Sequence, residues 1–171
     1  YIKEKTKIRP ISFGGDQQKG MRSGTINVPG IAGLGVAAAE AYAHLAENAE
    51  HMYELKAYFA DKLQQIGDVT INGKTGHDSA PQIISASFLG VRSEVLLHSL
   101  EDRCIYVSAG SACSSNLPSQ SGTLLNIGLD HAHQESTLRF SFCPETTREE
   151  LDYTYGVLEE LLPMLRRYTR H

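Results

Sequence analysis

The run "IAGLGVAAAEAYAHLAENAEHMYELKAYFADKLQQIG", residues 31–67, limits the possible folds more than any other stretch. Ala and Leu dominate it, Glu, Lys and Gln fill the remaining face, and Gly67 is a natural stop, so the run reads as helix for over thirty residues. That is long for one globular helix. A bend around Glu47–Asn48 is expected, where the chain leaves one lobe and enters another. The division this implies is residues 1–45 and residues 46–171.

Beyond Gly67 the chain alternates between short strand patterns and helical ones. "VTING" (69–73), "QIISASFLG" (82–90), "CIYVSAG" (104–110) and "STLRFSFCP" (136–144) read as strands. "EVLLHSLED" (94–102) repeats its apolar positions at helical spacing, with Ser93 as its N-cap. The terminal "TTREELDYTYGVLEELLPMLRRY" is an amphipathic helix opened by Thr146 or Thr147 and interrupted at Pro163. The fold class is therefore α+β, a few-stranded sheet covered by helices. Before residue 31, "FGGDQQKGMRSGT" reads as loop.

Composition narrows the function classes. Net charge is −4, which gives no electrostatic footprint for nucleic acid or an anionic membrane. The longest apolar stretch, residues 28–43, contains Pro29 and three glycines after it, and it is too short and broken to span a bilayer. The start, "YIKEKTKIRP", is too charged for a secretory leader and reads like the interior of a longer chain. Three cysteines, Cys104, Cys113 and Cys143, lack regular spacing, so a reduced, cytoplasmic setting without disulfides is expected.

Four features carry possible chemistry. Cys113 sits in "SAGSACSSN" among small and hydroxylic residues, where a thiol is a nucleophile, a metal ligand or an incidental loop residue. Cys104 and Cys143 fall in apolar strand candidates, and packing is their expected role. His131 and His133 of "LDHAHQE" form an H-x-H pair without a second nearby cysteine, so a solvated loop is the alternative to a zinc or iron site. In "GGDQQKGMRSGTINVPG", the glycines with Arg22, Ser23 and Thr25 make either a phosphate cradle or a tight structural turn. Alternation in "TLRFSF" places Leu138, Phe140 and Phe142 on one face and Arg139 with Ser141 on the other. Arg139 then lies on a solvent face or forks a carboxylate.

Taken in order, "FGGDQQKGMRSGTINVPGIAGLG", "SAGSACSS" and "LRFSF" closely resemble the cysteine desulfurases of the NifS/IscS type, class-V aminotransferase relatives with the fold-type-I pyridoxal-phosphate architecture. The family pattern reads G-G-G-Q-E-x-G-x-R-S-G-T, from which Asp16 and Gln18 depart. The resemblance implies that Cys113 takes sulfur from L-cysteine as a persulfide, leaving L-alanine. It implies that Arg139 binds the substrate carboxylate and that Thr25 reaches the phosphate of pyridoxal 5'-phosphate across a homodimer. The 26 positions from Cys113 to Arg139 match the group with the longer cysteine loop, about residues 108–135.

By the same resemblance, residues 1–45 are the tail of the large cofactor-binding domain with a connecting helix, and residues 46–171 are the small C-terminal domain. The motif of the Schiff-base lysine is not found among Lys3, Lys5 and Lys7, so the chain reads as the C-terminal part of such an enzyme, inactive alone. No metal is implied. The partners implied are L-cysteine and sulfur-acceptor proteins such as an iron–sulfur scaffold, with no membrane and no direct nucleic acid. A non-enzymatic persulfide-carrying or partner-docking module, and a related selenocysteine lyase, are the competing readings.

Overall fold

In the computed structural model, residues 3–4, 6–110 and 122–168 are described. Cys113 lies outside them. The chain divides into two compact units, Tyr1–Leu45 and Ala46–His171.

In the first unit a chain of turns and bends leads into α1, Val28–Ala43. The Asn27 side chain caps α1 by accepting from the Gly30 N–H at 3.1 Å, and Pro29 occupies the first turn, where its missing N–H costs nothing. This helix is apolar apart from Glu40, yet none of its residues is buried. At His44 the backbone leaves helical geometry (φ −116°, ψ 14°), and α2 begins at Leu45 and runs to Gln65. The expected bend is thus a break, three positions ahead of Glu47. It falls where a largely apolar helix gives way to an amphipathic one.

In the second unit α2 buries Leu55, Phe59, Ala60 and Leu63, at i, i+4, i+5 and i+8, so one stripe faces the core. Lys56 is buried beside them, only 3% exposed. Its ammonium donates to Ser79 Oγ at 2.7 Å and to the Ala80 carbonyl at 2.8 Å, which ties the loop holding Ser79 and Ala80 to the helix. Burial pushes its pKa down, partly offset by the Asp78 carboxylate.

The sheet has four antiparallel strands in the spatial order β1-β2-β4-β3: β1 Val69–Asn72, β2 Ile83–Phe88, β3 Ser108–Ala109 and β4 Thr137–Ser141. Helix α3, Ser93–Glu101, links β2 to β3, the short helices α4, Gly122–Asn126, and α5, His131–Glu135, precede β4, and α6, Arg148–Arg167, completes the unit. One face of the sheet carries Ile84, Ala86, Phe88, Leu138 and Phe140, each at most 5% exposed, packed with the apolar stripes of α2, α3 and α6. Phe140 meets Phe59 edge-on at 5.2 Å and Phe88 at 6.1 Å between ring centroids.

At the surface, α2 and α6 are latched by Lys62, whose ammonium lies 2.6 Å from Asp152 and above the rings of Tyr58 and Tyr155. The Lys62 hydrogen bond holds the Asp152 carboxyl below its usual pKa, and the same bond holds Lys62 above its own.

Several sequence expectations need correction. Ser93 is the first residue of α3 rather than its cap, and Arg92 in the cap position makes no side-chain cap bond. Helix α2 ends at Gln65, just ahead of the expected stop at Gly67, and the left-handed residue that follows is Asp68 (φ 56°). Its carbonyl accepts from Leu89 N–H at 3.0 Å and from Arg166 Nη2 at 3.3 Å, which holds the turn. Thr147 caps α6 in a reciprocal box with Glu150, and the helix continues through the exposed Pro163 to Arg167. The missing Pro163 N–H interrupts nothing beyond one bond on the solvent side.

The largest correction concerns the thiols. Cys104 and Cys143 are both exposed, and neither lies in a strand. Strand pairing in "CIYVSAG" is confined to Ser108 and Ala109, and β4 ends at Ser141. Cys104 instead takes a left-handed turn (φ 59°) after α3, and Cys143 opens the turn before α6, where Thr146 Oγ1 accepts from its N–H at 3.0 Å. Packing therefore does not explain them.

Candidate functional site

The second face of the sheet is polar because the strands alternate. Residues paired across the ladders share a face, so the registers Asn72↔Ser85, Ser85↔Arg139 and Ser108↔Arg139 line up one row: Asn72, Ser85, Arg139, Ser108. The adjoining row is Thr70, Ser87, Thr137. The alternation read from "TLRFSF" holds: Leu138, Phe140 and Phe142 are buried, and Arg139 and Ser141 are exposed.

The second row is a hydrogen-bonded seam. Thr137 Oγ1 donates to the His133 carbonyl at 2.6 Å, which commits its proton. Ser87 Oγ must then donate across the 2.7 Å contact to Thr137, and Asn72 Nδ2 donates to Ser87 Oγ at 2.9 Å. The chain of donors runs one way and ends on α5, so α5 covers this part of the face. Each link polarises the next.

Arg139 lies outside that cover. It is exposed, and its guanidinium has one side-chain partner among the described residues, Ser108 Oγ at 3.3 Å from Nη2. Among the described residues it forms no ion pair, unlike Arg103, which is bound to Glu160 at 2.7 Å. A guanidinium fork left open on a hydroxyl-lined face is suited to a carboxylate.

The glycine-rich loop is closed largely by its own side chains. Gln18 and Lys19 stand in left-handed geometry (φ 54° and 57°), and the Gly20 N–H reaches the Asp16 carbonyl at 3.2 Å. Ser23 is buried, and its hydroxyl donates to the Gly15 carbonyl at 2.6 Å. Arg22 Nη1 donates to the carbonyls of Gly24 at 3.0 Å and Thr25 at 2.9 Å. Both side chains thus close the loop on itself. Thr25 is exposed, and its hydroxyl has no partner among the described residues. Of the three residues considered for a phosphate, Thr25 is the one left available.

His131 and His133 are turned to carboxylates. His133 Nδ1 lies 2.7 Å from Asp130 Oδ1, and His131 Nδ1 lies 3.6 Å from Glu135. Asp130 also caps α5 by accepting from the His133 N–H, and that bond above all holds its carboxyl below the usual range. Among the described residues no three His, Cys, Asp or Glu side chains gather as a metal site.

Sequence reasoning singled out Arg139 and Thr25 but passed over Ser108, Ser85 and Asn72. The signal for the two serines was available in the alternation of "QIISASFLG" and "YVSAG", and that for Asn72 in "VTING"; what was missing was the register that sets them beside Arg139.

The class-V aminotransferase profile matches residues 1–154, and the chain belongs to that family. Within it, the chain is 38% identical over 169 residues to the cysteine desulfurase IscS of Dictyoglomus turgidum, covering 97% of this chain and 42% of that protein. To the cysteine desulfurase IscS of Clostridium botulinum it is 35% identical over 168 residues, with the same two coverages. Among solved structures, a NifS-like protein superposes with a TM-score of 0.82 at 34% identity, over 96% of this chain and 42% of the other. The chain therefore spans about 42% of the length of the relatives it matches. The α+β arrangement is that of part of a fold-type-I enzyme. Among the described residues no helix is long and apolar enough to cross a membrane.

Proposed function

We propose that this chain supplies the sulfur-accepting thiol and the substrate-carboxylate site of a pyridoxal-phosphate-dependent cysteine desulfurase. The observation that carries the reading is Arg139: an exposed guanidinium, free of carboxylates among the described residues, on a strand paired with the one that leads toward Cys113. Residues 1–45 are read as the tail of the large domain with its connecting helix, and residues 46–171 as the small domain.

The division of labour follows from the chemistry of each side chain. Arg139 receives the carboxylate of L-cysteine in two parallel hydrogen bonds, fixing the amino acid's orientation. The Cys113 thiolate attacks the substrate sulfur. An S–S bond forms, the C–S bond breaks with its electron pair left on carbon, and that carbon takes a proton, so the products are L-alanine and a persulfide on Cys113. Pyridoxal phosphate, when bound, supplies the electron sink for bond breaking at the amino acid. The residues present fit the part of that group this chain reaches, because the Thr25 hydroxyl is exposed and uncommitted while Arg22 and Ser23 hold its loop. The persulfide passes to an acceptor protein, such as a scaffold for iron–sulfur clusters, and the setting is a cytoplasmic homodimer.

The test is kinetic, on the intact cofactor-loaded enzyme that contains this chain. Arg139→Lys keeps the charge and loses the planar fork, so the KM for L-cysteine rises by about ten- to a hundredfold, the equivalent of roughly 1.5–3 kcal/mol. Cofactor absorbance stays unchanged. Cys113→Ser still binds L-cysteine and releases no sulfide. Wild-type KM in Arg139→Lys overturns the carboxylate role, and sulfide release by Cys113→Ser overturns the role of the thiol.

A further inference from the structure

We propose that Ser108 is a positioning residue for Arg139, holding its guanidinium in the orientation that receives the substrate carboxylate. The inference rests on the carboxylate role of Arg139 and extends it to Ser108, the first residue of "SAGSACSS", to which neither the motifs nor the comparisons give a role.

Ladder parity makes Ser108 and Arg139 a backbone-bonded pair of the sheet edge. Phe142 N–H donates to the Gln82 carbonyl and Phe88 N–H to the Ser136 carbonyl, both at 2.9 Å. Along β4 and its flanks, even-numbered positions therefore turn their backbone groups to β2 and odd-numbered positions to β3. Arg139 and Ser108, directly opposite, share the backbone bonds of that edge and project side chains from one face. A long, exposed arginine otherwise samples many rotamers, and a ligand must freeze them as it binds. The bond from Nη2 to Ser108 Oγ, at 3.3 Å, removes part of that freedom beforehand.

The direction of the bond adds a second effect. Guanidinium only donates, so Ser108 Oγ accepts, and its own proton is not committed to Arg139. That proton has no acceptor among the described residues and is free to meet a carboxylate oxygen held by the fork. Ser108 also precedes Cys113 by five positions, so one residue joins the carboxylate site to the strand from which the thiol-bearing segment continues.

Two measurements test this. In the intact enzyme that contains this chain, nitrogen-15 NMR of the Arg139 guanidinium, assigned by its loss in Arg139→Lys, reports rotation about the Cζ–Nε bond. Rotation is expected to be slower in wild type than in Ser108→Ala. In the intact cofactor-loaded enzyme, Ser108→Ala raises KM for L-cysteine by about three- to tenfold at unchanged kcat, and Ser108→Thr returns it to within about twofold of wild type. Equal rotation in wild type and Ser108→Ala overturns the proposal. So does an unchanged KM in Ser108→Ala while Arg139→Lys raises it, an outcome that leaves the carboxylate role of Arg139 standing. A fall in kcat alone assigns Ser108 to the thiol segment and also overturns it. If Arg139→Lys itself leaves KM unchanged, the parent reading fails and this one with it.

Discussion

The two faces of the small sheet share one backbone and divide its work. On the helix-covered face Ile84, Ala86, Phe88, Leu138 and Phe140 are packed to at most 5% exposure, with aromatic rings meeting edge-on. On the other, Asn72, Ser85, Ser87, Thr137, Ser108 and Arg139 present hydroxyls, an amide and a cation. The strand period of two lets adjacent residues of β4, Phe140 and Arg139, belong wholly to different tasks. The first face carries the apolar packing, and the second carries the carboxylate site proposed above. The polar face is itself graded: its Ser87–Thr137 row is buried under α5, and its Arg139 row is open.

Substitutions down this series should fall in the same order. Phe140→Ala empties the contact with Phe59 and Phe88 and is expected to destabilise the chain by about 3–5 kcal/mol, read from chemical denaturation. A loss below about 1 kcal/mol would mean that the apolar face is not the structural one.

The middle case is Asn72→Ala. It removes the first donor of the chain that runs through Ser87 and Thr137 to the His133 carbonyl, so the expected loss is about 1–3 kcal/mol in the same assay. A neutral result would place the two buried hydroxyls in a self-sufficient pair and make the amide dispensable.

Arg139→Ala should be the mildest. The side chain is exposed with a single 3.3 Å contact, so stability should stay within about 0.5 kcal/mol of wild type. On the proposed carboxylate role its effect is expected in substrate binding instead. A marked loss of stability here would make Arg139 a structural residue and erase the contrast between the faces.

A similar contrast separates α1 from α2. The sequence run that holds both reads as one helix because local propensity is alike throughout, whereas the structure breaks it at His44. Propensity reports how readily a residue turns helical, not what its side chain then meets. Hence α2 shows a buried stripe, and α1, more apolar, has none of its residues buried.

What the sequence by itself determined is local or serial: the α+β alternation, the capped terminal helix, the inward and outward residues of "TLRFSF", and the order of motifs that marks the family. These come from periods of 2 and 3.6 and from chemistry carried by neighbouring residues. It misplaced Cys104 and Cys143, because an apolar run reads as a strand whether or not a partner edge exists to pair with it. Only tertiary structure set Ser108 opposite Arg139, 31 positions away, and Asn72 within reach of Thr137, 65 positions away. Register across a sheet is fixed by packing between distant segments, and a slip of one residue would turn every side chain of a strand to the other face.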